Sequence, residues 1–269
     1  MEISPHKQRI ATSIVLAVLP ALALIFQGWV LFTVLSLFCV LTLWEFYSMF
    51  RPVRHMTAFK SLGAAFTFLL LGAFTTGDVR YPSAILLAAF WASGFIFLVR
   101  YNRDTSASYR HAAIFLVGLI YIPMNFHFFL SMDRMEILLI IGAAAVSDTA
   151  AFYAGSLWGK RKIWPRISPK KSWAGSIGGF TACALGVTVY GETFGLPEVA
   201  LWKWILLGGL LNVAAQMGDF LESAIKRSLD IKDSGSILPG HGGLLDRVDS
   251  LLLVTPAYAL VAMFHPFFR

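Results

Sequence analysis

Acidic and basic side chains near the end of the chain are the groups whose types and spacing could do chemistry. Asp219, Glu222, Ser223 and Lys226 stand at i, i+3, i+4 and i+7, which places them on one face of a helix. A stretch rich in glycine follows, Lys232-Asp233-Ser234-Gly235-Ser236-Ile237-Leu238-Pro239-Gly240-His241-Gly242-Gly243. Its glycines and proline let the backbone turn tightly and come close to a ligand. A second helix start then carries Asp246-Arg247-Val248-Asp249, with two aspartates at i and i+3. Mg²⁺ is commonly held by one or two carboxylates, with phosphate oxygens and water completing the octahedron. Lys and Arg neutralise the remaining phosphate charge. The pattern points to Mg²⁺-dependent chemistry on a phosphate or nucleotide. A plainer reading is two helix ends, with acids that favour a helix N-terminus by about 0.3–1 kcal/mol, joined by a solvated loop.

A second group lies upstream. Ser147-Asp148-Thr149 interrupts an apolar run and is followed by Tyr153, Gly155 and Gly159-Lys160. An ionised Asp at the centre of a bilayer costs about 2.5–3.5 kcal/mol on the insertion scale. Asp148 therefore faces protein, a cation or water, either as a functional group or as a hydrogen-bond partner of another helix. Ser168-Pro169-Lys170-Lys171-Ser172-Trp173-Ala174-Gly175-Ser176 then offers N–H donors and cations to an anion at a helix start. No GxxxxGK[ST] pattern is present, so this is not a P-loop. Lys160 to Arg166 would serve equally against anionic lipid headgroups. His241 reads as a base, a phosphate ligand or a structural residue. Glu45, Asn125, His127 and Gln216 are assigned to hydrogen bonds between helices. Cys39 and Cys183 are read as small buried hydrophobes, without metal-ligand or disulfide spacing.

The elements that must position these residues are membrane helices. Of 269 residues, 57% are hydrophobic and 14% charged, against about 25% charged in an average soluble domain. Mean hydropathy is +0.69. These values exclude a disordered chain, a soluble nucleic-acid-binding domain and a disulfide-stapled module. A span needs about 20 apolar residues, and such runs lie near 10–26, 28–50, 61–77, 82–100, 111–131, 135–156, 173–190, 200–222 and 247–265. The expectation is an all-α polytopic transmembrane bundle of about nine spans, the first retained and not cleaved as a leader. The break at Gln27–Gly28 decides between nine spans and eight. With the N-terminus in the cytoplasm, all but Arg80, Arg134, Lys203 and Arg269 of the 22 Lys and Arg residues fall on the cytoplasmic side. That bias predicts an inside N-terminus and an outside C-terminus. Five spans in 1–130 are expected to form a scaffold with room for dimer contacts. Residues 131–269 form the catalytic region, with cytoplasmic loops 157–172 and 223–246. No internal repeat supports an inverted-repeat transporter.

The run Ser223-Ala-Ile-Lys226-Arg227, then Lys232-Asp233, then Pro239-Gly240-His241-Gly242-Gly243-Leu-Leu-Asp246-Arg247-Val248-Asp249 resembles the 27-residue signature of the phosphatidate cytidylyltransferases. The Ser168–Trp173 and Asp148-Thr149 stretches are similar in order and spacing, and Ala174 stands where many members carry an acid. The resemblance implies transfer of CMP from CTP to phosphatidic acid, giving CDP-diacylglycerol and pyrophosphate. It implies Mg²⁺ with room for a second cation, a homodimer, no nucleic acid, and a bacterial inner membrane with the site on the cytoplasmic side. Asp219, Asp246 and Lys226 are then expected to be catalytic, and Asp219, Asp246 and Asp249 to hold metal. Substrate contacts are expected from Ser147, Asp148, Lys170, Lys171, Ser172, Ser223, Arg227, Lys232, Asp233, His241, Gly242, Gly243 and Arg247. A CTP-using lipid kinase and a transporter remain as other classes.

Overall fold

A computed structural model describes residues 5–50, 53–104, 107–240 and 242–268. Long apolar runs in lipid have one local way to satisfy every backbone N–H and C=O, which is the helix. The described residues accordingly fold into helices, with no β-structure beyond two isolated bridges, Lys162–Ser172 and Leu238–Gly242. The helices are α1 (Pro5–Phe26), α2 (Gly28–Met49), α3 (Val53–Phe74), α4 (Arg80–Arg103), α5 (Tyr109–Tyr121), short α6 (Pro123–Phe126), α7 (Arg134–Trp158), α8 (Trp173–Phe194), α9 (Leu201–Ser228), one-turn α10 (Leu245–Val248) and α11 (Leu251–Phe264). Among the described residues eight helical segments are long and apolar enough to cross a membrane. The first of the nine expected spans contributes a shorter apolar stretch, Thr12–Phe26.

Local chemistry accounts for the breaks. Gln27 and Gly28 both take positive φ, 44° and 47°, and separate α1 from α2. The fifth expected span is one segment by hydropathy, yet α5 stops before Pro123, whose ring removes an N–H donor. A 3₁₀ turn, His127–Leu130, completes it. Asp133 and Glu136 cap α7 reciprocally, Glu136 N–H donating to Asp133 Oδ1 at 2.8 Å and Asp133 N–H to Glu136 Oε2 at 2.9 Å. Ser172 caps α8 by accepting from Gly175 N–H at 3.3 Å.

Contacts divide the chain into two units. The first comprises Met1–Ser131 and Asp233–Asp246, so part of the loop 223–246, which the sequence reading kept with residues 131–269, packs with the N-terminal helices. Its core is aromatic. Tyr47 is fully buried, donates to Phe115 O at 2.7 Å, and fits because a Cβ at Gly63 would lie 2.7 Å from its ring. The second comprises Met132–Lys232 and Arg247–Arg269. There α7, α8 and α9 pack in sequence, and α11 lies against α9 and α7. Small residues let α7 and α8 approach: a side chain at Gly178 would run into Ala154, and one at Gly175 would sit 2.7 Å from Ala151 O.

Candidate active site

The close crossing of α7 and α8 aligns one polar layer. Ser147 Oγ donates to Asn212 Oδ1 at 2.8 Å, and Gln216 Nε2 donates to the same oxygen at 3.1 Å and to Ser176 O at 3.3 Å. Ser176 Oγ returns a bond to Gln216 Oε1. This layer joins α7, α8 and α9 and sets their rotation. Asp148 on α7 and Asp219 on α9 then face one cavity of about 770 Å³, within the range usual for small-molecule sites.

The segment between α7 and α8 forms its basic rim. Trp173 N–H donates to Arg161 O at 3.0 Å and Ile163 N–H to Lys171 O at 3.3 Å, so 161–163 and 171–173 pair as a short hairpin. The hairpin is held to α9 by Arg227 Nε donating to Ile167 O at 3.4 Å and by Trp164 against Phe220, ring centroids 4.7 Å apart. Lys160, Lys162, Lys170 and Lys171 line the cavity from it. Phe152, Leu157 and Trp158, all strongly exposed, supply an apolar wall.

Lys171 Nζ lies 2.6 Å from Asp219 Oδ2 and 4.5 Å above the Phe220 ring. Ser223 Oγ donates to Asp219 Oδ1 at 3.2 Å. The turn before α11 brings a third acid. A Cβ at Gly218 would fall 2.5 Å from Asp249 O, so glycine lets α9 meet this turn and sets Asp249 near Asp219. Ser250 bridges the acids: its N–H donates to Asp249 Oδ1 at 2.7 Å, and its Oγ lies 3.3 Å from that oxygen and 3.4 Å from Asp148 Oδ2. Asp148, Asp219 and Asp249 thus act on one another's charge, with Lys171 as a shared counter-charge.

The other expected residues have surroundings of their own. Ser147 is buried in the polar layer and does not line the cavity. Ser172 lines the cavity and caps α8. Lys226 lies outside the lining, 2.5 Å from the buried Glu222. Arg227 donates to backbone carbonyls of Ile167 and Ile231. Lys232, Asp233 and Arg247 are exposed. Asp246 belongs to the first unit, where its Oδ2 accepts from Ser234 N–H at 3.0 Å and Gly243 N–H at 3.1 Å. Gly242 takes φ +83° next to it. His241 lies outside the described residues. Ser250 and the Asn212–Gln216 layer were not singled out as site residues. Gln216 was set down as an interhelical bond, which it makes, but its position one turn below Asp219 on the cavity floor needed the helix crossing to be known.

A sequence model of the cytidylyltransferase family matches residues 7–265. The chain belongs to the cytidylyltransferase family. It is similar to the phosphatidate cytidylyltransferase of Bacillus subtilis (strain 168), 42% identical over 155 residues, covering 55% of this chain and 57% of that one. The phosphatidate cytidylyltransferase of Thermotoga maritima is 34% identical over 187 residues, 65% of this chain and 68% of that one. That of Staphylococcus saprophyticus is 40% identical over 153 residues, 55% and 58% of the two chains. This cytidylyltransferase-family chain thus spans under two thirds of the length of the Bacillus and Staphylococcus relatives.

The donors available for a cation in this family member are carboxylate oxygens, which suit a hard ion such as Mg²⁺ and not a thiophilic one. Among the described residues no three His, Cys, Asp or Glu side chains converge closely enough to hold a metal unaided. The chemistry of Asp219 with one of its two acidic neighbours would suit an ion that takes its remaining ligands from phosphate and water.

Proposed function

We propose that this chain is a phosphatidate cytidylyltransferase: CTP and phosphatidic acid give CDP-diacylglycerol and pyrophosphate. The observation that carries the reading is the cavity in which Lys171 and Asp219 pair beside Asp148, under a rim of three further lysines and against an apolar wall. Its lining suits a charged nucleotide and a lipid meeting at one place, and the relatives named phosphatidate cytidylyltransferase support it.

An oxygen of the lipid phosphate attacks the α-phosphorus of CTP. The new P–O bond forms as the bond to the β-phosphate oxygen breaks, and pyrophosphate carries away the electron pair. The nucleophile is already anionic near neutral pH, so no side chain need remove a proton. Lys160, Lys162 and Lys170 hold phosphate oxygens and offset their mutual repulsion. Lys171 keeps Asp219 oriented and presents its remaining N–H groups to the cavity. Phe152, Leu157 and Trp158 exclude water from the acyl side. Mg²⁺ held by Asp219 with Asp148 or Asp249 would supply charge neutralisation at the phosphates. A bacterial inner-membrane setting, a cytoplasmic site and a homodimer belong to the same proposal.

The test is pyrophosphate release by the purified protein in detergent with CTP, phosphatidic acid and Mg²⁺, each omitted in turn. Release that needs all three, with CDP-diacylglycerol in equal amount, is expected, and chelation should abolish it until Mg²⁺ is restored. CDP release with phosphorylation of an added lipid alcohol would replace the reading by a kinase. Absence of turnover by folded protein would end it.

A further inference from the structure

Glu45 is an acid on α2, a helix of otherwise mostly apolar residues, and it is 2% exposed. A carboxylate in such a place persists only if donors surround it. Three of its donors come from 234–245, 189 to 200 positions away. Leu245 N–H donates to Oε2 at 2.9 Å, Ile237 N–H to Oε1 at 3.3 Å, and Ser234 Oγ to Oε2 at 3.4 Å. The glycines answer to the same carboxylate. A Cβ at Gly235 would stand 2.5 Å from Glu45 Oε1, and one at Gly243 would stand 2.9 Å from Oε2 and run into Ser234 Oγ. Asp246 accepts from Ser234 N–H and Gly243 N–H, so two acids organise one short segment.

We propose that Glu45 is a positioning residue: it is the template on which 233–246 folds, and turnover depends on it although its own carboxylate is buried. Among the described residues four groups of the expected machinery, Asp233, Gly242, Gly243 and Asp246, belong to that segment, and Asp249 follows three residues later in the chain. The glycines at 235 and 243 are therefore there to admit the carboxylate. The effect on turnover rests on the cytidylyltransferase reading; the folding of the segment does not.

The experiment uses the full chain in detergent and compares wild type with Glu45→Gln, Glu45→Asp and Gly243→Ala. Hydrogen exchange of the 234–246 backbone reads the fold of the segment, and kcat and KM for CTP read its consequence. Hydrogen bonds to a charged acceptor are the stronger kind, so Glu45→Gln should speed exchange of the Ile237 and Leu245 amides about tenfold or more. Exchange in α7, α8 and α9 should stay unchanged. In the same variant kcat/KM should fall about tenfold or more with the unfolding temperature nearly unmoved. Glu45→Asp, which keeps the charge, should recover part of the loss, and Gly243→Ala should reproduce the Gln variant. Unchanged exchange in Glu45→Gln would overturn the proposal, and so would faster exchange with kcat/KM within twofold of wild type. Loss of activity only in step with loss of folded protein would also overturn it, because that is what a purely structural acid does. If wild type itself transfers no cytidylyl group, the activity reading fails separately, and the exchange result decides the role of Glu45.

Discussion

Two lysines, Lys171 in the Ser168–Trp173 stretch and Lys226 in the signature, face opposite demands. Lys171 and Asp219 are each about a quarter exposed, so water screens the pair and it adds little to stability. Lys226 is paired to Glu222, whose side chain is 1% exposed. Removing one partner of a buried pair costs about 3–5 kcal/mol because the other charge is left uncompensated. Lys226→Met should therefore lower the unfolding temperature sharply, while Lys171→Met should leave it nearly unchanged and lose more turnover. Thermal unfolding and pyrophosphate release on both variants check this. Asp219→Asn removes the partner of Lys171 and weakens the acceptor of Ser223; kcat should fall by about 100-fold or more, as when a preorganised electrostatic group is lost. An Asn variant with full activity and intact Mg²⁺ dependence would remove Asp219 from the metal assignment.

At the scale of elements, the site depends on how closely helices cross. Gly178 permits the α7–α8 contact at Ala154, and Gly218 permits α9 to meet the turn at Asp249 and Ser250. Gly178→Leu should cost about 1–3 kcal/mol of stability through overpacking, read as a lower unfolding temperature. Gly218→Ala should act differently. Its Cβ would meet the Asp249 carbonyl at 2.5 Å, so the turn must shift, and activity should drop further than stability does. Spacing gave only part of this turn. Asp246 and Asp249 at i and i+3 suggested one helical face, but α10 is a single turn ending at Val248, and each aspartate has its own set of partners.

For the molecule as a whole, charge placement makes a topological prediction. Cys39 and Cys183 are both buried, so an added surface cysteine can be read against a quiet background. With an inside N-terminus, Thr76→Cys between α3 and α4 should react with a membrane-impermeant maleimide in intact cells. Arg166→Cys in the α7–α8 hairpin should react only after permeabilisation. The reverse pattern would invert the orientation and move the cavity to the outer face.

Hydropathy, a local property, marked the spans: the helix is the one local way for an apolar run of about 20 residues in lipid to close its backbone hydrogen bonds. Punctuation was local too, as at Gln27–Gly28; Asp148 and Asp219 were legible as acids out of place in lipid, and Lys171 as a cation at a helix start. What the sequence by itself could not determine was which of these groups meet. Asp148 and Ser250 are 102 positions apart, and Glu45 and Leu245 are 200 apart. No spacing rule reaches that far, because such contacts follow from how closely helices cross and which face each turns inward. Only the tertiary structure decided that Glu45, read from the sequence as a bond between helices, accepts from Ser234, Ile237 and Leu245 in a distant loop.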